Sequence, residues 1–130
     1  MYKFSNKSLS KLNTCDIRLQ KLFNQVIKYY DCSILEGYRS DARQEELYNH
    51  GKSKLRAGQS KHNQQPSLAV DVVPYPLDWQ DLKRFYHFMG FVKATAIAMG
   101  IEIRCGGDWD GDNDLNDSSF VDLPHFELKI

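Results

Sequence analysis

Four histidines and a scatter of carboxylates hold most of the reactive side chains in this 130-residue chain. Asp71 lies in Leu68-Ala69-Val70-Asp71-Val72-Val73, the most apolar strand-like run in the sequence. An ionised carboxylate in such a run is costly unless an opposite charge or a metal meets it. In strand alternation Ala69, Asp71 and Val73 share one face. Taken alone, Asp71 reads first as an ion-pair partner of an Arg or Lys. A second cluster closes the chain: Asp122-Leu123-Pro124-His125-Phe126-Glu127. His125 and Glu127 alternate on an expected strand and so project from one face. Asp122 precedes Pro124, where the chain is extended or turning. An imidazole ligand with a nearby carboxylate kept free as a base suits a metal site. The plainer reading is a histidine at a strand edge with its ring in water. Ser60-Lys61-His62 forms the third cluster, ahead of Asp71 in a polar stretch. His50, at a helix end, and His87, inside a helix, read as surface or packing residues. Two histidines and one carboxylate make a catalytic zinc set that leaves a fourth position for water. Each cluster alone is a weak signal; the three together, with a buried-type Asp, make a case for such a site.

The elements that must position these groups follow from periodicity. Leu19, Leu22, Phe23, Val26, Ile27 and Tyr30 recur at helical spacing, so residues 14–30 read as a helix capped by Asn13 or Thr14. Cys32 to Glu36 reads as a short strand ending at Gly37. A second helix, capped by Ser40 or Asp41, runs to about Asn49 and stops at Gly51. Residues 52–67 are polar and read as a long loop. Leu68 to Val73 is a strand stopped by Pro74 and Pro76. The longest helix spans about Trp79 to Met99, with Asp78 as its cap and Leu82, Phe85, Met89, Val92 and Ala96 as its stripe. Ile101 to Arg104 reads as a strand, and a last strand lies around Phe126 to Lys129. The mixed order predicts an α+β fold, a small antiparallel sheet with helices packed on it, as a single domain over 1–130.

Composition narrows the class. Hydrophobic residues are 42% and charged residues 26%, ordinary for a globular protein. Lys plus Arg and Asp plus Glu are both 17, so the basic excess of a general nucleic-acid binder is absent. No apolar run approaches the roughly 20 residues of a membrane span. Met1 to Lys7 lacks the apolar core of a signal peptide. Cys15, Cys32 and Cys105 are an odd set without Cys-x-x-Cys, against a disulfide framework or a thiolate zinc knuckle and in keeping with synthesis in a reducing cytoplasm. Asp108, Asp110, Asp112 and Asp114 alternate like the front of a calcium loop. Asn113 and Ser119 break the EF-hand pattern, so a solvated acidic loop is the first reading and a weak regulatory Ca²⁺ site over 108–119 the second.

Ser60-x-His62, Ala69-x-Asp71 and Asp122-x-x-His125, in this order, resemble the zinc peptidases of the Hedgehog/DD-peptidase fold. That group includes VanY-like D-Ala-D-Ala carboxypeptidases and phage L-alanyl-D-glutamate endolysins. Glu36-Gly37-Tyr38-Arg39-Ser40, Gly51-x-Ser53 and Gly106-Gly107-Asp108-Trp109 extend the likeness over about residues 32–130. The commoner pattern is Ser-x-His-x-x-Gly-x-Ala-x-Asp. Here His62 and Asp71 stand two residues further apart, Ser67 replaces the Gly, and Asn63-Gln64-Gln65-Pro66 absorbs the difference. Carboxypeptidase members often use Glu as base. Asp122 matches the endolysin branch instead and favours an endopeptidase.

The resemblance implies that His62, Asp71 and His125 bind Zn²⁺, with a water in the open position. Asp122 would be the general base, and Arg39 would help stabilise the oxyanion. Arg39 also has a plainer reading as a surface partner of Asp41 or Glu45. Glu127 would orient a ligand imidazole. Ser60, Asp108 and Trp109 would contact substrate, though Ser60 equally suits holding its loop and Trp109 packing in a core or lid. Lys52, Lys54, Arg56 and Lys61 read as a solvated basic loop or as a holder for an anionic wall fragment. The expected activity is hydrolysis of the peptidoglycan stem peptide between L-Ala and D-Glu. The alternatives are a D-Ala-D-Ala carboxypeptidase, a non-catalytic metal-binding wall-recognition module, or a cytosolic protein with a structural metal. The expected setting is a monomer without nucleic-acid partners, made without a signal peptide and reaching the wall by holin-type release.

Overall fold

A computed structural model describes residues 1–116 and 121–130. The end of the acidic loop, including Ser119, lies outside the described residues. The chain order is α1 (Asn6–Leu12), α2 (Ile17–Val26), β1 (Cys32–Glu36), α3 (Asp41–Asn49), a 3-10 turn (Lys61–Asn63), β2 (Ala69–Pro74), α4 (Leu82–Met99), β3 (Ile103–Cys105) and β4 (His125–Leu128). The expected α+β architecture is what forms: four antiparallel strands in the order β1-β2-β4-β3. No helix among the described residues is long and apolar enough to cross a membrane.

Local chemistry sets the element ends. Ser5 caps α1, Asp16 caps α2, Ser40 caps α3 and Asp81 caps α4, each side chain accepting a backbone N–H of the first turn. The expected helix over 14–30 is therefore shorter, and a separate α1 precedes it. Its start is moved by a long-range contact: Asp16 N–H donates to the Ser67 carbonyl at 2.8 Å, and Ser67 N–H donates to the Thr14 carbonyl at 2.9 Å. That pairing takes Thr14 to Asp16 out of helical geometry. The longest helix begins at Leu82 because Asp81 is its cap, while Asp78 closes the preceding turn by accepting from Gln80 N–H at 3.0 Å.

The sheet separates core from chemistry by strand alternation. Val70 and Val72 of β2, with Phe126 and Leu128 of β4, pack into a cluster with Leu19, Leu22, Phe23 and Val26 of α2 and Phe88, Met89 and Val92 of α4. The opposite face carries Asp71, paired directly across from His125, and Ala69, paired across from Glu127. On β1, Cys32 and Ile34 lie opposite Pro74 and Val72, but Glu36 lies opposite Asp71. One extra residue between Ile34 and Glu36 shifts the register. A one-residue slip turns a side chain to the other face. Glu36 thus leaves the core side and joins Asp71. Cys15, Cys32 and Cys105 are free thiols, and burial pushes each up to about 12.

Candidate metal centre

Each metal-competent side chain is fixed by its own backbone. His62 sits in the 3-10 turn capped by Ser60, whose hydroxyl accepts His62 N–H at 3.1 Å, and Asn63 completes a capping box. The turn is tied to the end of β1: Arg39 N–H donates to the His62 carbonyl at 2.8 Å. His62 Nδ1 lies 2.7 Å from the Gly37 carbonyl. A Cβ on Gly37 would collide with the Thr14 hydroxyl and the Lys11 carbonyl, so only Gly brings that carbonyl to the imidazole. Asp122 and His125 bracket a turn in which His125 N–H donates to the Asp122 carbonyl at 3.0 Å. Asp122 N–H donates to the Gly106 carbonyl and Gly106 N–H to the His125 carbonyl, both at 2.8 Å. A Cβ on Gly106 would strike the Asp122 carbonyl.

The two imidazoles meet one carboxylate. His62 Nε2 is 3.2 Å and His125 Nδ1 is 3.3 Å from Asp71 Oδ1. The ring centroids are 5.2 Å apart. One donor atom from each of the three residues lies within 4.8 Å of the others. The second nitrogen of each ring is already engaged, His62 Nδ1 by the Gly37 carbonyl and His125 Nε2 by Glu127 Oε1 at 2.9 Å. These contacts orient the remaining nitrogens inward, as partners of metal-binding histidines do. Two imidazole nitrogens and a carboxylate oxygen, with outer contacts complete, fit a zinc ion.

Electrostatics follow from the same contacts. Burial alone would raise the Asp71 carboxyl, but the His125 and His62 imidazoles outweigh it and hold it far below the usual carboxylate range. Burial would lower His125, yet hydrogen bonds to Asp71 and Glu127 lift it to about 9 in the metal-free protein. Glu127 is opposed by burial but brought to about 2 by His125 and Lys61. Asp122 is raised, first by burial and then by the Asp71 charge. Its side chain is 40% exposed, and its Oδ2 lies 3.9 Å from His125 Nδ1.

The site lies in a cleft of about 790 Å³ lined by His62, Asp71, Asp122, His125, Glu127 and Arg39, among others. Ser60 and Trp109 also line it, and the Trp109 ring is tilted over His125 at 5.2 Å between centroids. Asp108 is not among the lining residues. It is buried, with Lys93 Nζ 3.3 Å from its Oδ2. Arg39 pairs with neither Asp41 nor Glu45; it contacts Glu36, lies 3.6 Å from Asp71 Oδ2 and donates to Gln44 Oε1 at 2.9 Å. Lys61 is not a freely solvated loop residue, because its Nζ lies 2.9 Å from Glu127 and donates to the Leu128 carbonyl at 2.6 Å. Gln44 went unnoticed in the sequence, although it is fully buried and its Nε2 donates to Ser53 Oγ at 3.0 Å and to the Leu55 carbonyl at 2.6 Å. A glutamine within an otherwise polar helix gives no signal of burial. Its only hint is its place between Arg39 and Ser53.

An α+β fold that brings two imidazoles and a carboxylate together in one cleft offers the donor set of a metal site. A family model described as "Phage L-alanyl-D-glutamate peptidase" matches residues 1–129. The L-alanyl-D-glutamate peptidase of Escherichia phage T5 is 30% identical over 136 aligned positions, covering 98% of both chains. The peptidoglycan L-alanyl-D-glutamate endopeptidase CwlK of Bacillus subtilis (strain 168) is 31% identical over 115 positions, covering 78% of this chain and 62% of CwlK. The crystal structure of the Serratia marcescens L-Ala D-Glu endopeptidase ChiX superposes with a TM-score of 0.77 at 27% identity, covering 98% of this chain and 90% of ChiX. The chain belongs to the phage L-alanyl-D-glutamate peptidase family.

Proposed function

We propose that this chain is a zinc-dependent endopeptidase that cuts the L-alanyl-D-glutamyl bond of peptidoglycan stem peptides. The observation that carries the metal is the convergence of His62, Asp71 and His125 on the cleft floor, and the relatives' activity supplies the bond. His62 Nε2, the Asp71 carboxylate and His125 Nδ1 would hold the ion. Bound zinc supplies Lewis acidity, which polarises an amide carbonyl and brings a water pKa to roughly 7.

Asp122 borders the cleft with a carboxyl lifted by burial, which suits it to gain and release a proton. It would accept the proton of the attacking water as the new C–O bond forms. It would then deliver that proton to the amine as the C–N bond breaks. Arg39 sets a positive charge beside Asp71, where negative charge on the carbonyl oxygen would develop; losing such a stabiliser costs about 100-fold or more in rate. Trp109 would wall the peptide groove. The chain would act as a monomer and reach its substrate by holin-type release.

Mass spectrometry of a muropeptide digest tests this. New L-Ala and D-Glu ends should appear, vanish with chelator and return with added zinc. Release of free D-Ala instead would assign a carboxypeptidase. No product from several wall types with zinc-loaded protein would leave a binding module.

One observation favours a second cation. Asp108, Asp110 and Asp112 each offer an oxygen within 4.8 Å of the others, and Asp108 Oδ1 is buried without a hydrogen bond among the described residues. We assign it as a weak Ca²⁺ site. Calcium should raise the thermal midpoint of the protein and not of Asp110→Asn; equal shifts would remove the site.

A further inference from the structure

The cleft has two unlike ends. Arg43, Lys52 and Lys61 are among its lining residues, and Lys61 pairs with Glu127, two residues beyond His125 on β4. Asp122 and Pro124 precede His125, and with Trp79 they also border an adjoining hollow of about 530 Å³, shared with Leu82, Tyr86 and Leu123. Trp79 is 55% exposed and Leu82 54%. The indole is nonetheless anchored: it stacks on buried Phe85 with ring centroids 5.5 Å apart and planes 15° apart. Its turn is closed by Asp78, whose carbonyl accepts Asp81 N–H at 3.1 Å. A rigid, exposed aromatic surface continuous with a reaction cleft marks a recognition surface.

We propose that Trp79 and its hollow seat the sugar ring from which the stem peptide hangs. The inference rests on the peptidoglycan reading above and adds a direction to it. In an L-alanyl-D-glutamyl bond the glutamyl residue carries a carboxylate and lies on the amine side of the cut. The alanine is the first residue, joined through its nitrogen to the lactyl group of a muramyl sugar. One extended residue spans about 3.5 Å, so the sugar must lie close to the metal-binding floor. Charge selects the end. The Trp79 hollow is bordered by Asp122 and by no Lys or Arg among the described residues, so it disfavours the carboxylate-bearing side. Arg43 and Lys52, which line the cleft but not that hollow, supply the positive charge that matches it. A neutral pyranose presents a face of C–H groups, which pack on the electron-rich face of an indole.

The test compares two substrates: a disaccharide-linked stem peptide, and the same peptide with an acetyl group in place of the sugar. Trp79→Ala should lose roughly tenfold in kcat/KM on the sugar-bearing substrate, mainly through KM. It should change less than about twofold on the bare peptide, and Trp79→Tyr should restore most of the loss. Equal losses on both substrates, or no loss on either, overturn the proposal. Sugar contact is also read without turnover. The Trp79 indole N–H resonance should shift with disaccharide-linked L-Ala amide and not with acetyl-L-Ala amide. Absence of that difference overturns the sugar contact even if the peptide is cut. A wild type that cuts neither substrate while showing the shift overturns only the hydrolase reading.

Discussion

His125 is held by three carboxylates with separate tasks, and substitution separates them. Asp71 faces its Nδ1, Glu127 takes its Nε2, and Asp122 stands 3.9 Å away on the cleft side. Asp122→Asn removes a proton acceptor and no proposed ligand, so metal content should stay near that of the parent while hydrolysis falls about 100-fold or more. His125→Ala should lose both. Metal analysis beside muropeptide digestion distinguishes the two; undiminished turnover in Asp122→Asn would remove the base assignment. Glu127→Gln keeps the shape but weakens the acceptor on Nε2, and chelator competition should show a 10- to 100-fold loss of metal affinity. The convergence of His62, Asp71 and His125 was legible because few side-chain types hold a metal and Asp71 lies where carboxylates are expensive. The partners of Arg39 were not, since nearby acids in sequence, Asp41 and Glu45, compete on paper with Glu36 and Asp71, which only the sheet brings near.

At the level of elements, Gln44 ties α3 to the site from within the core. Gln44 accepts from Arg39 and donates to Ser53 and Leu55, joining the helix, the strand-end arginine and the basic loop. Gln44→Leu buries the same volume without those bonds and should cost about 1–3 kcal/mol, read by denaturant unfolding. Gln44→Glu keeps the acceptor for Arg39, so it should retain more activity than Gln44→Leu at matched folded fraction. Most elements were readable from apolar spacing, and Gly51 and Gly100 marked the ends of α3 and α4. The expected helix over 14–30 starts earlier than α2 because Asn13 and Thr14 are cap types as suitable as Asp16, the residue that caps α2. What interrupts it is Ser67, distant in sequence, and periodicity carries no trace of such a contact. α1 was missed because Asn6–Leu12 is short and buries only Ser8 and Leu12.

For the whole molecule, the site's charges should govern stability once metal is stripped. His125 is raised from 6.5 to about 9, so its contribution is full below 6.5 and disappears as pH climbs through 9. Glu127 is lowered from 4.5 to about 2, so its contribution is full above 4.5 and disappears as pH drops through 2; Asp71 acts in the same sense. Thermal midpoints of chelated protein should therefore be highest between about pH 4.5 and 6.5 and decline on both sides. A flat profile would contradict this balance. The register shift in β1 has a further consequence. Cys32 and Ile34 answer to the oily interior, whereas Leu35 and Glu36 border the cleft. Changes on the two sides should therefore be thermodynamically independent: Ile34→Val and Glu36→Gln should sum within about 0.5 kcal/mol in the double variant. One inserted residue divides a five-residue strand into two zones that can vary separately.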